Sequence, residues 1–294
     1  MSLGGAVSIR MRMTGVALAF AAALTGAPAL AQMDLSRQWQ PRLHEDFPER
    51  IPGPELGDYS GLPITDSARM FADSWDPARL TLPEHQCRVH TSPYIHRGPL
   101  NMRIWEVRDP HTQILKEIKI YISTYEQVRT IYMDDRPAPS DLAPHTWMGF
   151  SKGRWDGDML KVHTTHIKQN WVRRNGLPQS DLAELEEVFI RNGDMLTHIS
   201  VVRDPDYLSE PLTKSENYVL NPRIEGQAAW TYPCIAVVEV PRPQGEVPHY
   251  LPGQNPNFEE LYRRWNISHE AFRGGAETMY PEWARTHQLA ERVR

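Results

Sequence analysis

The chain has 294 residues, of which 32 are Lys or Arg and 37 are Asp or Glu, and its formal net charge at pH 7 is −5. Proteins that bind nucleic acid or anionic membrane surfaces are usually basic, so we expect neither kind of partner. No apolar run is long enough to cross a bilayer, and we therefore expect no membrane span. The length allows one large domain or two small ones.

The first 31 residues have the three parts of a secretory signal peptide. Arg10 and Arg12 form a basic region, residues 16–24 form a short apolar region, and residues 29–31 read Ala-Leu-Ala, which is an A-x-A cleavage site. We expect cleavage after Ala31 and a mature protein that is periplasmic or secreted. Removing this segment changes the formal charge from −5 to −7, because it contains two Arg and no acidic residue.

Two cysteines, Cys87 and Cys234, remain in the mature chain. An even number of cysteines in an exported protein predicts a disulfide, and the alternative is two buried thiols. Neither cysteine belongs to a Cys-x-x-Cys pair, which excludes a zinc-ribbon site.

Composition divides the mature chain into three parts. Residues 32–80 are rich in Pro, Gly and Asp, which predicts an extended N-terminal arm with one short helix near Asp66–Trp75. Residues 241–294 begin as a Pro-rich loop and continue as a helix over Asn257–Trp265, whose apolar residues recur at helical spacing. We expect a terminal helix over Pro281–Arg294, and we expect this C-terminal part to pack on the domain between the two flanks.

That central domain, residues 81–240, has the character of a mainly β protein. Successive hairpins without intervening helices favour an antiparallel barrel or sandwich, and an eight- to ten-stranded lipocalin-like (calycin-type) barrel is our first choice. The strand candidates are 102–107, 114–123, 128–133, 184–191, 194–203, 213–220 and 230–240.

Two Gly-containing turns fix the expected registers. Asp156-Gly157 and Asn192-Gly193 lie between strand-like runs and predict two-residue type I′ turns. Glycines inside the first hairpin indicate a close approach to the backbone. The face that we place inside consists of Trp147, Gly149, Ser151, Gly153, Leu160, Val162, Thr164 and His166.

The second hairpin suggests an acid–base pair. A turn centred on Asn192-Gly193 puts Glu187 directly opposite His198, on a face shared with Phe189. A carboxylate that orients an imidazole in an apolar setting can create a general base, with His166 or Tyr132 as its proton-transfer partner. The alternative is a satisfied polar pair that braces the interior.

Metal binding is a further alternative for these groups. His163 and His166 lie three apart on a predicted strand and so face opposite sides, with His163 outside. His166, His198 and Glu187 would share a metal only if their strands are neighbours. We predict no metal and no cofactor. The sequence also lacks G-x-S-x-G, Walker A, G-x-G-x-x-G and H-E-x-x-H motifs, which argues against the common hydrolase, nucleotide-binding and zincin classes.

Basic residues cluster after the first hairpin. His166, Lys168, Arg173 and Arg174 would attract an anionic group if they surround a barrel mouth, and the alternative is a solvated loop. The candidate ligand-binding residues are Trp147, Ser151, Thr164, Lys168, Arg173, Arg174 and Phe189.

Three segments of the chain, residues 61–87, 129–176 and 247–283, resemble a family of exported bacterial proteins. The family pattern reads IYMDGRPHP…TWMGxSxGRWEGDTLVVxTT, and this chain reads IYMDDRPAP…TWMGFSKGRWDGDMLKVHTT. The resemblance covers nearly the whole mature chain and implies export and a β-rich fold, but no activity. Ala138 stands where the family has His, so a catalytic role for that loop does not carry over. The other departures are Asp135, Lys161 and His163.

These observations leave three hypotheses. The first is a periplasmic barrel that encloses a small, partly apolar molecule bearing an acid group. The second is a cofactor-independent isomerase, lyase or hydratase in the same pocket, with His198 and Glu187 moving the proton. The third is a structural or interaction protein of the cell envelope. Nothing in the sequence specifies an oligomeric state.

Overall fold

The structure, a computed structural model, describes residues 33–43, 53–98, 100–222, 233–236, 241–266 and 268–287. Within these ranges the chain is mainly β, with nine strands in a closed barrel and two more in a separate hairpin. The expected signal peptide lies outside the described residues, as does most of the strand expected at 230–240. The strands are β1 (Arg37–Pro41), β2 (Met102–Arg108), β3 (Leu115–Ile122), β4 (Gln127–Tyr132), β5 (Phe150–Asp156), β6 (Met159–Thr165), β7 (Asn170–Arg173), β8 (Leu177–Gln179), β9 (Glu184–Asn192), β10 (Met195–Arg203) and β11 (Leu212–Leu220).

The barrel contains one parallel pair of strands. Its order is β1-β11-β10-β9-β6-β5-β4-β3-β2, and β7 pairs only with β8. A closed ring of strictly antiparallel neighbours needs an even number of strands, because direction must alternate around it. Nine strands therefore require a parallel contact, which β4 and β5 supply where Ile131 pairs with Ser151. The long connection over residues 133–149 allows this return in the same direction.

The N-terminal arm contributes a strand to the barrel. We predicted an extended arm over residues 32–80, and part of it is a barrel strand, because β1 pairs with both β2 and β11. Leu35 and Trp39 are buried in the core, and the apolar area they remove from water favours this insertion. Helix α1 (Asp66–Asp73) follows, and Thr65 is its N-cap.

The C-terminal part packs on the arm. Helix α2 (Ser92–Ile95) lies between β1 and β2 in the chain, whereas α3 (Asn257–Trp265), α4 (His269–Arg273) and α5 (Pro281–Thr286) follow the last barrel strand, β11. Phe258 and Leu261 of α3 are buried, whereas Trp265 is 59% exposed. The Asn255 side chain donates a hydrogen bond to the Trp75 carbonyl at 2.8 Å. Here the C-terminal part contacts the N-terminal arm, whereas we expected it to pack on the central domain.

Both hairpin turns lie one residue later than the sequence predicted. Asp156 pairs with Met159, and Asn192 pairs with Met195. Glycine is therefore the first central residue of each turn, and its φ is positive at +62° and +58°. This is the position that a type II′ turn reserves for glycine, whereas we expected type I′. Each residue faces a partner two positions away from the predicted one, so the side chains keep their predicted faces.

Two apolar clusters fill the barrel and cover one of its ends. The covered end is the one at which β3 connects to β4, and the β7–β8 hairpin and α1 pack there. Close packing explains Gly153, where an added Cβ would lie 2.5 Å from Met133 Sδ. The cluster inside the barrel consists of Leu35, Trp39, Ile95, Met102, Ile104, Ile118, Ile120, Ile122, Ile131, Leu160, Val162, Phe189, Leu196 and Tyr218.

Candidate functional site

A network of charged side chains is buried inside the barrel. Arg129 of β4 donates two hydrogen bonds to the Glu187 carboxylate of β9, one of them to Oε1 at 2.7 Å. Its Nε donates to Ser151 Oγ at 3.1 Å, and Nη2 also donates to Thr164 Oγ1 at 2.7 Å. The four residues come from four strands, and all are buried. Burying an ion pair is tolerated when further hydrogen bonds satisfy both partners, as they do here.

His198 lies between two carboxylates. Its Nε2 is 2.9 Å from Glu187 Oε1, and its Nδ1 is 2.9 Å from Glu216 Oε2. Burial lowers the pKa of His198, but the hydrogen bonds and charges of the two carboxylates outweigh it and raise the pKa to about 9. The imidazole is therefore positively charged at neutral pH.

The two carboxylates respond in the opposite sense. Burial raises the pKa of Glu187, but the charge and hydrogen bonds of Arg129, with the hydrogen bond of His198, hold it well below its usual value. Burial also raises the pKa of Glu216, and the hydrogen bond and charge of His198 lower it to about 2. Arg129 and His198 thus stabilise two ionised carboxylates, and Arg97 Nη1 also lies 3.6 Å from Glu216 Oε1.

A second histidine enters this network from the segment after α2. The ring of His96 lies 4.0 Å from that of His198, centroid to centroid, and its Nδ1 is 3.2 Å from the Tyr218 hydroxyl. Burial, followed by the charge of His198, holds the pKa of His96 well below its ordinary value, so this imidazole is neutral. Each of His96, Glu187 and His198 has a side-chain atom that could bind a metal ion, and these three atoms lie within 4.8 Å of one another. This spacing is compatible with a metal site.

Glu187 and His198 are in contact, but as diagonal neighbours, and the prediction that they lie directly opposite each other is wrong. The chemistry of the pair also differs from that of a general base. A base needs an unprotonated nitrogen that faces a substrate. Both nitrogens of His198 face carboxylates at 2.9 Å. Of the predicted inward residues, Ser151 and Thr164 bind Arg129, and the Phe189 ring stacks on His198 at 4.6 Å. These groups hold the network together.

The two proposed partners of His198 lie elsewhere. His166 follows the end of β6 with a φ of +56°, which ends the strand alternation and turns its side chain out to the Ser140 carbonyl, 3.0 Å away. The prediction that His166 faces the interior is therefore wrong, and so is its place in a metal site with His198 and Glu187. Tyr132 is on the outer face of β4, where its ring stacks on Phe150 at 5.3 Å.

The basic residues after β6 separate into different environments. The Trp147 ring contacts two cations, Arg88 and Lys168, each 4.9 Å from the ring centroid. Arg173 donates to the Asp58 carbonyl at 2.9 Å and so ties the β7–β8 hairpin to the arm. Arg174 is exposed.

Cys87 and Cys234 form the predicted disulfide, with Cα atoms 5.3 Å apart. A cavity of about 250 Å³ lies beside it, at the covered end of the barrel. We call it the disulfide pocket. The described residues that line it are Leu80, Thr81, His85, Gln86, Cys87, Arg88, His90, Tyr125, Trp171, Arg174, Cys234, Ile235 and Ala236.

Three buried nitrogen atoms on residues that line the disulfide pocket have no hydrogen-bond partner among the described residues. They are Arg88 Nε, His90 Nδ1 and Trp171 Nε1. Buried polar groups in folded proteins nearly always have a partner, which can be protein, ordered water or a bound molecule. Three residues of one cavity thus have nitrogen atoms that could pair with a polar group.

The electrostatics of the disulfide pocket are one-sided. None of its described lining residues is acidic, whereas Arg88 and Arg174 are cationic. Burial, followed by the charge of Arg174, lowers the pKa of His90 to about 3 and keeps that ring neutral. Arg88 also donates to the Gln169 carbonyl at 2.7 Å, which fixes its position. A cationic cavity with aromatic walls favours an anion that carries an apolar group.

Sequence reasoning did not find most of this site. Arg129 alternates with Ile131 on β4 and so shares its inward face, but an inward Arg carries no motif that marks it as part of a site. His96, His90 and Arg88 lie outside the strands, where the sequence gives no periodicity to follow. Of the predicted ligand-binding residues, Arg174 lines the disulfide pocket, and Trp147 and Lys168 adjoin it through Arg88.

Among the described helices, none combines the length and the apolar character that a bilayer span requires. Comparisons of this chain with protein-family models, with curated proteins and with solved structures found no match.

Proposed function

We propose that the chain is an exported, lipocalin-like barrel protein, periplasmic or secreted, that binds a small, partly apolar, acidic organic molecule in the disulfide pocket. The signal-peptide pattern supports export, and the disulfide fits an oxidising compartment. The runs β2-β3-β4 and β9-β10-β11 pair in chain order, which favours the up-and-down lipocalin type.

The observation that carries the proposal is the set of unpartnered nitrogens in a cavity with cationic walls. Arg88 Nε and Trp171 Nε1 are hydrogen-bond donors without a described partner, and a carboxylate offers the acceptors they lack. Arg174 is exposed and makes no hydrogen bond or ion pair with any described residue, so its charge is available. Tyr125 and Trp171 provide aromatic surface for the apolar part of the ligand.

The second hypothesis, acid–base catalysis by His198, has less support. Both nitrogens of His198 face carboxylates, so His198 itself offers no unprotonated nitrogen to a substrate. The disulfide pocket offers unpartnered polar atoms instead, which is the property of a binding site.

Isothermal titration calorimetry with matched acids and amides tests the proposal. The probes are a set of small aromatic and aliphatic carboxylates, each paired with its uncharged carboxamide. We expect carboxylates to bind and their amides to bind about 10-fold or more weakly, because a charged hydrogen-bond acceptor contributes roughly 1.5–3 kcal/mol.

Two variants locate the binding. Arg174→Gln removes a cation of the disulfide pocket and is expected to weaken the carboxylates selectively. Arg154→Gln removes an exposed cation from β5, outside the pocket lining, and is expected to leave affinity unchanged. Equal affinity for acids and amides, or equal weakening by both variants, would contradict binding in this pocket.

A further inference from the structure

We infer that His96, Glu187 and His198 form a binding site for a divalent transition-metal ion such as Zn²⁺, enclosed in the barrel and separate from the disulfide pocket. The sequence predicted no metal, because the histidine that completes this set is contributed by the segment after α2 and not by a strand. The inference rests on the arrangement of the donor atoms and on the groups behind them.

The donor atoms converge on one point. Glu187 Oε1 is 2.9 Å from His198 Nε2 and 3.8 Å from His96 Nε2. Two atoms bound to one zinc at about 2.0–2.2 Å stand roughly 3.4 Å apart in tetrahedral geometry, which is between these two distances. All three ligand atoms lie within 4.8 Å of one another, so small rotations of the rings bring them onto one ion.

The other nitrogen of each histidine is already held. Glu216 Oε2 is 2.9 Å from His198 Nδ1, and the Tyr218 hydroxyl is 3.2 Å from His96 Nδ1. Histidines that bind metals almost always have such a partner on the second nitrogen, because it fixes the orientation of the ring. Both Nε2 atoms are thereby directed toward the same carboxylate oxygen.

Arg129 positions the carboxylate. Its guanidinium donates two hydrogen bonds to Glu187, and its other contacts with Ser151 and Thr164 fix it in the barrel wall. A carboxylate oxygen has two lone pairs, so Oε1 can accept from Arg129 and still bind an ion. The ion would take the place of the proton between His198 and Glu187, as metal binding to histidine generally displaces protons.

The donor set defines the class of ion. Two imidazoles and one carboxylate suit Zn²⁺, Fe²⁺, Co²⁺ and Ni²⁺, whereas Mg²⁺ and Ca²⁺ prefer oxygen ligands. Because the three residues are buried, we expect the ion to enter while the chain folds.

The test is to refold the mature, disulfide-bonded chain with Zn²⁺ or with Mg²⁺, dialyse it, and measure retained metal by mass spectrometry. We expect about one zinc ion per chain and no retained magnesium, and a cobalt-loaded sample should show the absorption of a low-coordinate site. His96→Gln removes a ligand and leaves the bonds of Arg129 and Glu187 in place, because the Nε2 of His96 is 3.8 Å from the carboxylate. We expect its zinc affinity to fall by more than about 10-fold, the loss that removal of an outer partner alone produces.

Three further variants keep the test decisive if His96→Gln folds poorly. Tyr218→Phe removes only the hydroxyl beside His96 Nδ1, and a loss of about 10- to 100-fold in zinc affinity is expected. His90→Gln replaces a buried histidine outside the cluster and should retain zinc. His145→Gln tests the neighbouring surface histidines His145 and His166, whose ring centroids are 5.2 Å apart. Zinc absent from the wild type, retained equally by His96→Gln and Tyr218→Phe, or lost from His145→Gln would overturn the inference.

Discussion

His198 and Glu187 meet diagonally across the β9–β10 ladder. Their side chains are 2.9 Å apart, from Nε2 to Oε1, although His198 pairs with Phe189 and Glu187 pairs with Ser200. Diagonal neighbours on one face of a sheet are within reach of long side chains. From this position Glu187 also reaches Arg129, so its carboxylate links Arg129 of β4 to His198 of β10.

We expect Arg129→Met to destabilise the protein strongly. The substitution leaves the Glu187 carboxylate buried without its principal cation, and breaking a buried pair in this way usually costs about 3–5 kcal/mol. Urea unfolding at pH 7 measures the change in the free energy of unfolding.

The double variant Arg129→Met with Glu187→Gln is the control for uncompensated charge. It removes both charges, so we expect it to recover part of the loss. The exposed Arg154→Met should change stability by no more than about 0.5 kcal/mol. A double variant less stable than the single one would contradict the role of Arg129 as the counter-charge.

His90 makes stability depend on pH. Its folded-state pKa is about 3, lowered chiefly by burial, whereas the unfolded value is 6.5. The unfolded state therefore takes up a proton first as the pH falls, so the full stability present above pH 6.5 is lost progressively towards pH 3. The slope contributed by His90 is roughly 1.4 kcal/mol per pH unit at most.

Replacement by an uncharged residue isolates this effect. We expect His90→Gln to have a flatter stability profile between pH 4 and 6.5 than the wild type, measured by urea unfolding at several pH values. Parallel profiles for the two proteins would show that His90 does not remain neutral in the folded state.

The disulfide should contribute to stability. It joins residues 147 positions apart, and closing a long loop restricts the unfolded chain. We expect Cys87→Ala with Cys234→Ala to lower the free energy of unfolding by about 2–5 kcal/mol. Reduction of the wild type should lower its unfolding midpoint similarly and leave the double variant unchanged, whereas no effect on the wild type would contradict the prediction.

Gly176 is expected to tolerate no side chain. Its φ is +92°, and an added Cβ would lie 2.4 Å from the Cβ of Trp75. Gly157 is the matched control, because its φ is +62° but nothing lies within 4 Å. We expect Gly157→Ala to cost about 1 kcal/mol from backbone strain and Gly176→Ala about 1–3 kcal/mol more from the clash. Thermal unfolding compares the two, and equal losses would contradict the packing of Trp75 on this hairpin.

The fold was predictable because strand alternation is a local signal. Ile118, Ile120 and Ile122 share one face of β3 and are buried, as the sequence pattern predicts. The positions of the two turns were not predictable from the sequence. The Asp-Gly and Asn-Gly pairs fit a type I′ turn, but the overlapping pairs Gly157-Asp158 and Gly193-Asp194 fit a type II′ turn equally well. The parallel pairing of β4 with β5 was also not predictable. It follows from closing nine strands into a barrel, which is a property of the whole sheet and not of any one segment of the sequence.

The candidate sites were predictable only in part. Glu187 and His198 lie on adjacent strands, so their contact followed from the hairpin. His96 and His90 come from loops that pack against the barrel, and long-range packing of loops leaves no period in the sequence. The side chain of His166 points outward because its φ is +56°, a value that residues other than glycine rarely adopt. Strand alternation alone therefore could not predict its orientation.

The most direct test of ligand binding in the disulfide pocket is the indole N–H signal of Trp171 in a ¹⁵N NMR spectrum, assigned with Trp171→Phe and followed during titration with a small aromatic carboxylate. Trp171 Nε1 has no described partner, whereas Trp39 Nε1 already donates to the Leu35 carbonyl at 3.0 Å and is the internal reference. The proposal predicts a saturable downfield shift of the Trp171 signal and no shift of the Trp39 signal. In Arg174→Gln the shift of the Trp171 signal should be much smaller. A Trp171 signal that does not move while the carboxylate binds would contradict it.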